Sequence, residues 1–269
     1  MTISRQAAIA PSPSRPAAVT LITFAGLDPS GGAGLAADLD AAHAHAAAVR
    51  LVLTARTAQG ATGFAAAWPT AAAELDAVLA GLDPPPSRSA VKTGMLASAH
   101  AARAAVALAR AWAVPLVVDP VLASTSGGWL WPGMSAADVR ALLLGDVLPH
   151  AAVCTPNAAE LAFLAGMADV DDPERAQAAL RALPCPAVLK GGHGPAARRG
   201  ADWVWTGNEL VELPPWPTWP ANLRGSGCRF ASTLAIGLAL GLPLVEAARQ
   251  AGAFVARRAQ GTEQRAQRS

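Results

Sequence analysis

The chain has no tyrosine, and of its 21 basic residues only Lys92 and Lys190 are lysines. Cysteine is limited to Cys154, Cys185 and Cys228, widely spaced and in no CxxC pair. That excludes a disulfide framework and a thiolate zinc site, and fits a reducing cytosol. Long apolar runs are missing. The most apolar stretch, Phe230 to Val245, is 16 residues long and holds Ser, Thr, Gly and Pro, so it reads as a buried helix rather than a bilayer span. Prolines 11, 13 and 16 interrupt any signal-peptide core. Excess charge is missing too. The formal +2 comes from the ends, where Arg5, Arg15, Arg257, Arg258, Arg265 and Arg268 face one acid, Glu263. The body keeps 15 basic and 18 acidic residues, without a basic stripe or interleaved aromatics, which excludes a nucleic-acid partner. With 52% hydrophobic and 15% charged residues, disorder of the whole is excluded as well. A soluble, cytoplasmic protein without a membrane partner is expected.

What is present in excess is alanine, 67 of 269 residues, so an alanine-rich helix says little and a persisting lysine says more. Strand patterns fall at Val19–Phe24, Val49–Leu53, Ala90–Thr93, Leu116–Asp119, Ala151–Cys154 and Ala187–Lys190. Helical patterns fall between them, at Gly34–Ala48, Ala71–Ala80, Ala99–Ala113, Ala136–Leu143, Ala158–Ala165 and Asp172–Ala182. Repeated strand–helix alternation predicts right-handed crossovers and a mostly parallel sheet covered on both faces, an αβα three-layer α/β fold. Asp202–Thr206 and Glu209–Leu213 flank Gly207-Asn208, a hairpin signal, and two long helices follow Gly225. One domain over 18–259 is expected, with a disordered extension at 1–17 and a polar, disordered tail at 260–269.

In such sheets ligands bind beyond the carboxyl ends of the strands, and the informative residues cluster there. Gly26-Leu27-Asp28-Pro29-Ser30-Gly31-Gly32-Ala33-Gly34 follows the first strand; it is neither a Rossmann nor a P-loop pattern, and taken alone such a turn is as often ordinary turn chemistry as a binding site. Asp38, four residues further, has the plain reading of a solvated helix charge. Lys92 and Lys190 stand at two strand ends, where a compact ammonium meets phosphate as a point charge; an ion-paired or snorkelling lysine is the structural alternative. Thr155-Pro156-Asn157-Ala158-Ala159-Glu160 pairs a helix-capping Asn157 with Glu160 at the third position. A carboxylate there could equally hold hydrated Mg²⁺, and Asp119 at a strand tip is a second candidate. Gly225-Ser226-Gly227-Cys228 opens a helix of about 16 residues, and its free N–H groups form an anion hole for phosphate or a developing oxyanion. The same field should favour the Cys228 thiolate, whereas Cys154 and Cys185 read as buried and inert.

Together and in this order, the GxDPSGGAG, KxGM, DPV, TPNxxE, KGGH and G[ST]GC segments resemble the hydroxymethylpyrimidine/phosphomethylpyrimidine kinases of thiamine biosynthesis, in the ribokinase-like superfamily, from about Val19 to Ala256. The resemblance implies ATP-dependent, Mg²⁺-dependent phosphorylation of 4-amino-5-hydroxymethyl-2-methylpyrimidine and its monophosphate. It implies that Gln59 and Asp38 hold the aminopyrimidine beside Gly26, with Met95 and Val121 walling it. Gly225, Ser226 and Gly227 would cradle the transferring phosphoryl group and Cys228 would be the base. Lys190 would steady the ATP phosphates, while Asn157, Glu160 and Asp119 would stand at ATP and Mg²⁺, Glu160 through water. The resemblance also implies a homodimer.

Three positions depart from the family pattern. Arg224 and Arg229 stand where His and Thr are usual on either side of the G[ST]GC segment, and Thr125 stands where DPVMVAKSG has lysine. Arg229 is expected to supply the charge missing at Thr125. A pyridoxal-type kinase is the nearest alternative, and a pyrimidine-binding homologue without phosphoryl transfer is a different one.

Overall fold

A computed structural model describes residues 19–60, 63–124, 127–192, 200–216 and 223–266. The first half runs β1 (Thr20–Leu27), α1 (Leu35–Ala44), β2 (Ala48–Gly60), β3 (Gly63–Pro69), α2 (Ala72–Ala80), β4 (Ser89–Thr93), α3 (Ala99–Ala111) and β5 (Leu116–Val118). The second half runs α4 (Ala136–Leu142), β6 (Val153–Cys154), α5 (Ala158–Ala165), α6 (Pro173–Ala182), β7 (Ala187–Leu189), β8 (Trp203–Trp205), β9 (Leu210–Glu212), α7 (Ser226–Ala239) and α8 (Leu244–Ala266). The described strands form one sheet ordered β3-β2-β1-β4-β5-β6-β7-β8-β9. β2, β1, β4, β5, β6 and β7 pair in parallel, and antiparallel hairpins close both edges.

Alternating strand residues feed two apolar layers, as the pleat requires. Ile22, Phe24, Val91, Leu116, Val118, Cys154 and Leu189 point to the side covered by α2 to α6, where Leu75, Ala105, Leu161 and Leu180 meet them. Leu21, Ala90, Val117, Val153 and Val188 point to the other side, against Phe230, Leu234 and Ile236 of α7 and Ala247 and Ala251 of α8. Apolar residues on both faces explain why the central strands read as continuous runs rather than alternations. Ser98, Ser135, Asn157 and Asp172 cap α3, α4, α5 and α6 by accepting from first-turn N–H groups, so each helix starts close to where its pattern predicts.

Three expectations are corrected. The helix predicted through Ala48 stops at Ala44, since Ala46 takes a positive φ of 51° and the chain turns into β2. The strand predicted over Val49–Leu53 runs on to Gly60 and pairs with β3, which the pattern misses because Gly63–Pro69 is alanine-rich and only partly buried. The tail expected to be disordered from 260 is helical to Ala266, because Gln, Glu, Arg and Ala favour helix despite their polarity. The extension expected at 1–17 lies outside the described residues. Among the described residues no helix is long and apolar enough to cross a membrane.

Candidate active site

The carboxyl edge of the parallel strands gathers almost every residue singled out above. β1 delivers the glycine-rich turn, whose organiser is Asp28. Its carboxylate accepts from Ser30 N (3.0 Å), Ser30 Oγ (2.8 Å) and Ala33 N (3.0 Å). The turn ends at Gly34, whose φ of 57° and contact with the Gly26 carbonyl exclude any side chain. β4 delivers Lys92 inside the sheet and Met95 beyond it; a Cβ on Gly26 would lie 2.8 Å from Met95 Sδ, so Gly26 and Met95 form one continuous wall. The Thr54 hydroxyl holds the Met95 carbonyl. Val121 is half-buried beyond β5, and its carbonyl accepts from Trp131 Nε1 at 3.0 Å. Gln59 is half-buried near the tip of the β2–β3 hairpin, beside a bulge between Ala58 and Gln59. Phe64 of β3 presses on Gly128, which brings the hairpin against the loop after β5.

The charged centre lies at the ends of β5, β6 and β7. Lys190 Nζ is 2.7 Å from Asp119 Oδ1 and 3.7 Å from Glu160 Oε2. Burial works against the ammonium, but Asp119 and then Glu160 hold it above the ordinary lysine range. Burial pushes Glu160 up to about 7 against the pull of Lys190, with Asp119 adding to the rise. Asn157 caps α5 by accepting from Glu160 N at 2.9 Å, and Glu160 accepts from Asn157 N at 2.8 Å. The capping reading of that pair holds, and the same Glu160 carboxylate also faces Lys190. The N-terminus of α7 closes the centre. Gly225 (φ 70°) turns the chain into the helix, and a Cβ on Gly227 would lie 3.2 Å from Lys190 Nζ and 3.8 Å from Asp119 Oδ2.

Several expected roles change. Asp38 is no solvated charge. It is fully buried, accepting from Lys92 Nζ (2.8 Å), Thr23 Oγ1 (2.6 Å) and Ser232 Oγ (2.8 Å). Its carboxylate is thus shared among Lys92, Thr23 and Ser232. Lys92 is likewise the ion-paired lysine of the plainer reading. Burial opposes its charge, but the surrounding acidic groups, Asp38 foremost and then Cys228 and Asp119, together hold it above the ordinary lysine range. Cys228 is not favoured as thiolate. Burial of the sulfur pushes the thiol up, and Lys92 and the Gly34 N–H only partly offset it. Cys154 and Cys185 are buried as expected, the second pushed up to about 12 by burial. Arg229 does not reach toward phosphate but binds Asp40 Oδ2 at 2.6 Å, so it does not replace the missing lysine. Thr125 and His193 lie outside the described residues.

Two residues escape a reading of the sequence. Asp28 is visible only as an Asp-x-Ser turn signal inside the glycine-rich motif. Asp202 precedes β8, is buried, and accepts from Gly191 N at 2.8 Å, so it holds the residue after Lys190. Burial pushes it up to about 6, against the Gly191 N–H and Lys190.

An open parallel sheet carrying an ammonium, two carboxylates and a glycine-lined helix N-terminus at its carboxyl edge is the apparatus of a small-molecule phosphotransferase of the ribokinase-like fold. A family model for phosphomethylpyrimidine kinase matches residues 28–268, and this chain belongs to that family. The hydroxymethylpyrimidine/phosphomethylpyrimidine kinase of Synechococcus elongatus is 37% identical over 241 residues, spanning 87% of this chain and 89% of the relative. That of Rhizobium meliloti is 35% identical over 242 residues, spanning 87% and 88%. Among solved structures, Staphylococcus aureus pyridoxal kinase in complex with ADP matches with a TM-score of 0.77 at 26% identity, over 88% of this chain and 86% of that one. The Clostridium difficile phosphomethylpyrimidine kinase matches at 0.72 and 27%, over 89% and 99%.

Proposed function

We propose that this chain transfers the γ-phosphoryl group of ATP to 4-amino-5-hydroxymethyl-2-methylpyrimidine and then to its monophosphate. The observation that carries the reading is the cluster in which Lys190 meets Asp119 and Glu160, with Lys190 and Asp119 set against Gly227 at the N-terminus of α7. Gly225 to Gly227 would bind the transferring group through backbone N–H groups, and Lys190 would neutralise charge on the phosphates. As the substrate hydroxyl oxygen bonds to phosphorus and the bond to the ADP oxygen breaks, the hydroxyl proton would pass to Cys228. Only the thiolate can take that proton, so turnover would draw on the minor deprotonated fraction of a thiol that burial raises, while positioning and charge neutralisation would carry most of the transfer. Gln59, Gly26, Met95 and Val121 would receive the ring, and a Gln amide pairs with a ring nitrogen and an amino group together. Asp38 would act behind them, by holding Lys92.

Among the described residues there is no group of three or more His, Cys, Asp or Glu side chains that could hold a metal. Glu160 and Asp119 are nevertheless hard oxygen donors beside a phosphate-binding lysine, a set that fits hydrated Mg²⁺ held through water and substrate phosphates. They would keep that ion next to Asn157, where it would neutralise phosphate charge. We read the enzyme as a cytoplasmic homodimer, the first on its three unpaired cysteines and the second on the family resemblance. Turnover with the pyrimidine, its monophosphate and pyridoxal, each with and without Mg²⁺, tests the whole reading. Pyrimidine turnover that requires Mg²⁺ is expected. Faster turnover of pyridoxal would transfer the assignment to the pyridoxal kinases that the fold also resembles, and pyrimidine binding without turnover would reduce the chain to a binder.

A further inference from the structure

Two arginines stand on either side of the anion hole, and both engage the glycine-rich turn. Arg224 Nη2 lies 3.1 Å from Asp28 Oδ2. Arg229, in the first turns of α7, folds back toward the helix N-terminus. Its Nε donates to Asp40 Oδ2 at 2.6 Å, and its Nη1 donates to Arg224 O at 2.7 Å and to Gly32 O at 3.3 Å. One planar guanidinium therefore touches α1, the residue before the anion hole and the glycine-rich turn. The backbones it joins are in direct contact, since a Cβ on Gly225 would lie 2.5 Å from Gly32 O and 2.9 Å from Ala33 Cα. A cation near a helix N-terminus opposes the helix dipole, so its presence there needs a compensating anion. Asp40 is that anion, and it also pairs with Arg258 of α8 at 2.7 Å.

We propose that Arg229 is a positioning residue for phosphoryl transfer, a clasp that fixes the glycine-rich turn against the N-terminus of α7. The turn carries Gly34, whose N–H meets the Cys228 sulfur, and α7 carries both Cys228 and the N–H groups of the hole. Holding the two backbones in register therefore holds base and anion hole in register. The arginine fork suits this task, because its donors lie in one plane and divide between a carboxylate and two carbonyls, which a lysine ammonium on a flexible stem does not reproduce. Arg229 is 11% exposed, so these bonds form away from bulk water. Arg258 shares Asp40 and packs over the Phe254 ring, and the contacts it makes lie in α1 and α8. It thus provides a control for simple bracing of the helices.

The inference rests on the reading of Cys228 and the α7 N-terminus as the reacting centre. The test compares Arg229→Ala, Arg229→Lys and Arg258→Ala for kcat, KM and melting temperature. Displacement of catalytic groups by about 1 Å costs on the order of 100-fold in rate, so Arg229→Ala should lose about 10- to 100-fold in kcat with KM for ATP changed less than about threefold. Arg229→Lys should recover much of the melting temperature through Asp40 but stay about tenfold low in kcat. Guanidinium ion added to Arg229→Ala should restore part of its turnover. Arg258→Ala should melt earlier yet keep kcat within about twofold. The clasp is overturned if Arg229→Ala retains wild-type kcat, or if Arg258→Ala loses as much kcat as Arg229→Ala. Failure of the underlying site reading has a different signature, namely full turnover in Cys228→Ala.

Discussion

Lys190 and Asp119 come from strands that are two apart in the sheet, yet their charged atoms lie 2.7 Å apart at the carboxyl edge. The pair stands beside the α7 N-terminus, the position proposed above for the phosphates, and Lys190 remains 14% exposed. Lys190→Met should lower kcat by about 100- to 1000-fold, the usual scale for removing one preorganised charge. Lys190→Arg keeps the charge but brings a fork in place of a point, and should remain at least about tenfold low. Single-turnover kinetics at saturating ATP checks this, and wild-type turnover in Lys190→Met would remove Lys190 from the phosphate path.

Lys92 and Asp38 form the other ion pair, both fully buried. Removing one partner strands the opposite charge in the core, at about 3–5 kcal/mol, whereas removing both is often close to neutral. Urea denaturation should therefore find Lys92→Met strongly destabilised and Lys92→Met/Asp38→Leu substantially recovered. A double variant as unstable as the sum of its single ones would mean that the pair is not coupled.

Gly227→Ala separates helix stability from site geometry. Alanine is the better helix former by about 1 kcal/mol, so α7 should gain or hold its stability. The added methyl would stand 3.2 Å from Lys190 Nζ and crowd the phosphate position. Melting temperature unchanged or raised, with kcat down about tenfold or more, is the expected pairing. Undiminished kcat would place the transferring group elsewhere.

Asp202 predicts a stability slope in acid. Its carboxyl is raised from 3.8 to about 6 by burial, so the folded chain holds this proton more tightly than the unfolded one. That contribution to stability is complete below the unfolded value and is lost as pH rises toward the folded one, amounting to about 2–3 kcal/mol at 1.4 kcal/mol per unit. Asp202→Asn keeps an acceptor for Gly191 N–H and should flatten the slope over that window in urea denaturation series. An unchanged slope would assign it to other groups.

The central sheet and its capped helices are legible in the sequence because local signals agree with tertiary demand: apolar runs for strands buried on both faces, and Ser, Asn or Asp at helix starts. The placement of polar residues at the strand ends is legible for the same reason, since Lys190, Asp119 and Asn157 must follow strands to reach one edge. The misreadings arise where long-range contacts decide. Asp38 looks like a surface charge until Lys92 and Ser232 are placed beside it by β4 and α7. β3 is missed because its alanines carry no strand preference, and its partner is what makes it a strand. Arg229 looks like a phosphate ligand by its neighbourhood in sequence, but Asp40, 189 positions away, holds it.

Cys228 carries the sharpest pH test. In the proposed role its thiolate would accept the hydroxyl proton, and burial keeps the thiol above its ordinary range despite Lys92 and the Gly34 N–H. The reactive fraction is therefore small at neutral pH and grows about tenfold for each unit of pH below the thiol's own value. Measured at saturating substrates, log kcat should climb with a slope near one between about pH 7 and 9, where Lys92 and Lys190 stay charged because both are raised. Iodoacetamide should alkylate Cys228 slowly at neutral pH and faster along the same rise, and ATP with the pyrimidine should protect it. Cys228→Ala should lose most of its turnover, and the remainder should be flat with pH. A wild-type profile already flat across that range would show that the proton leaves by another route and that Cys228 serves only the shape of the hole.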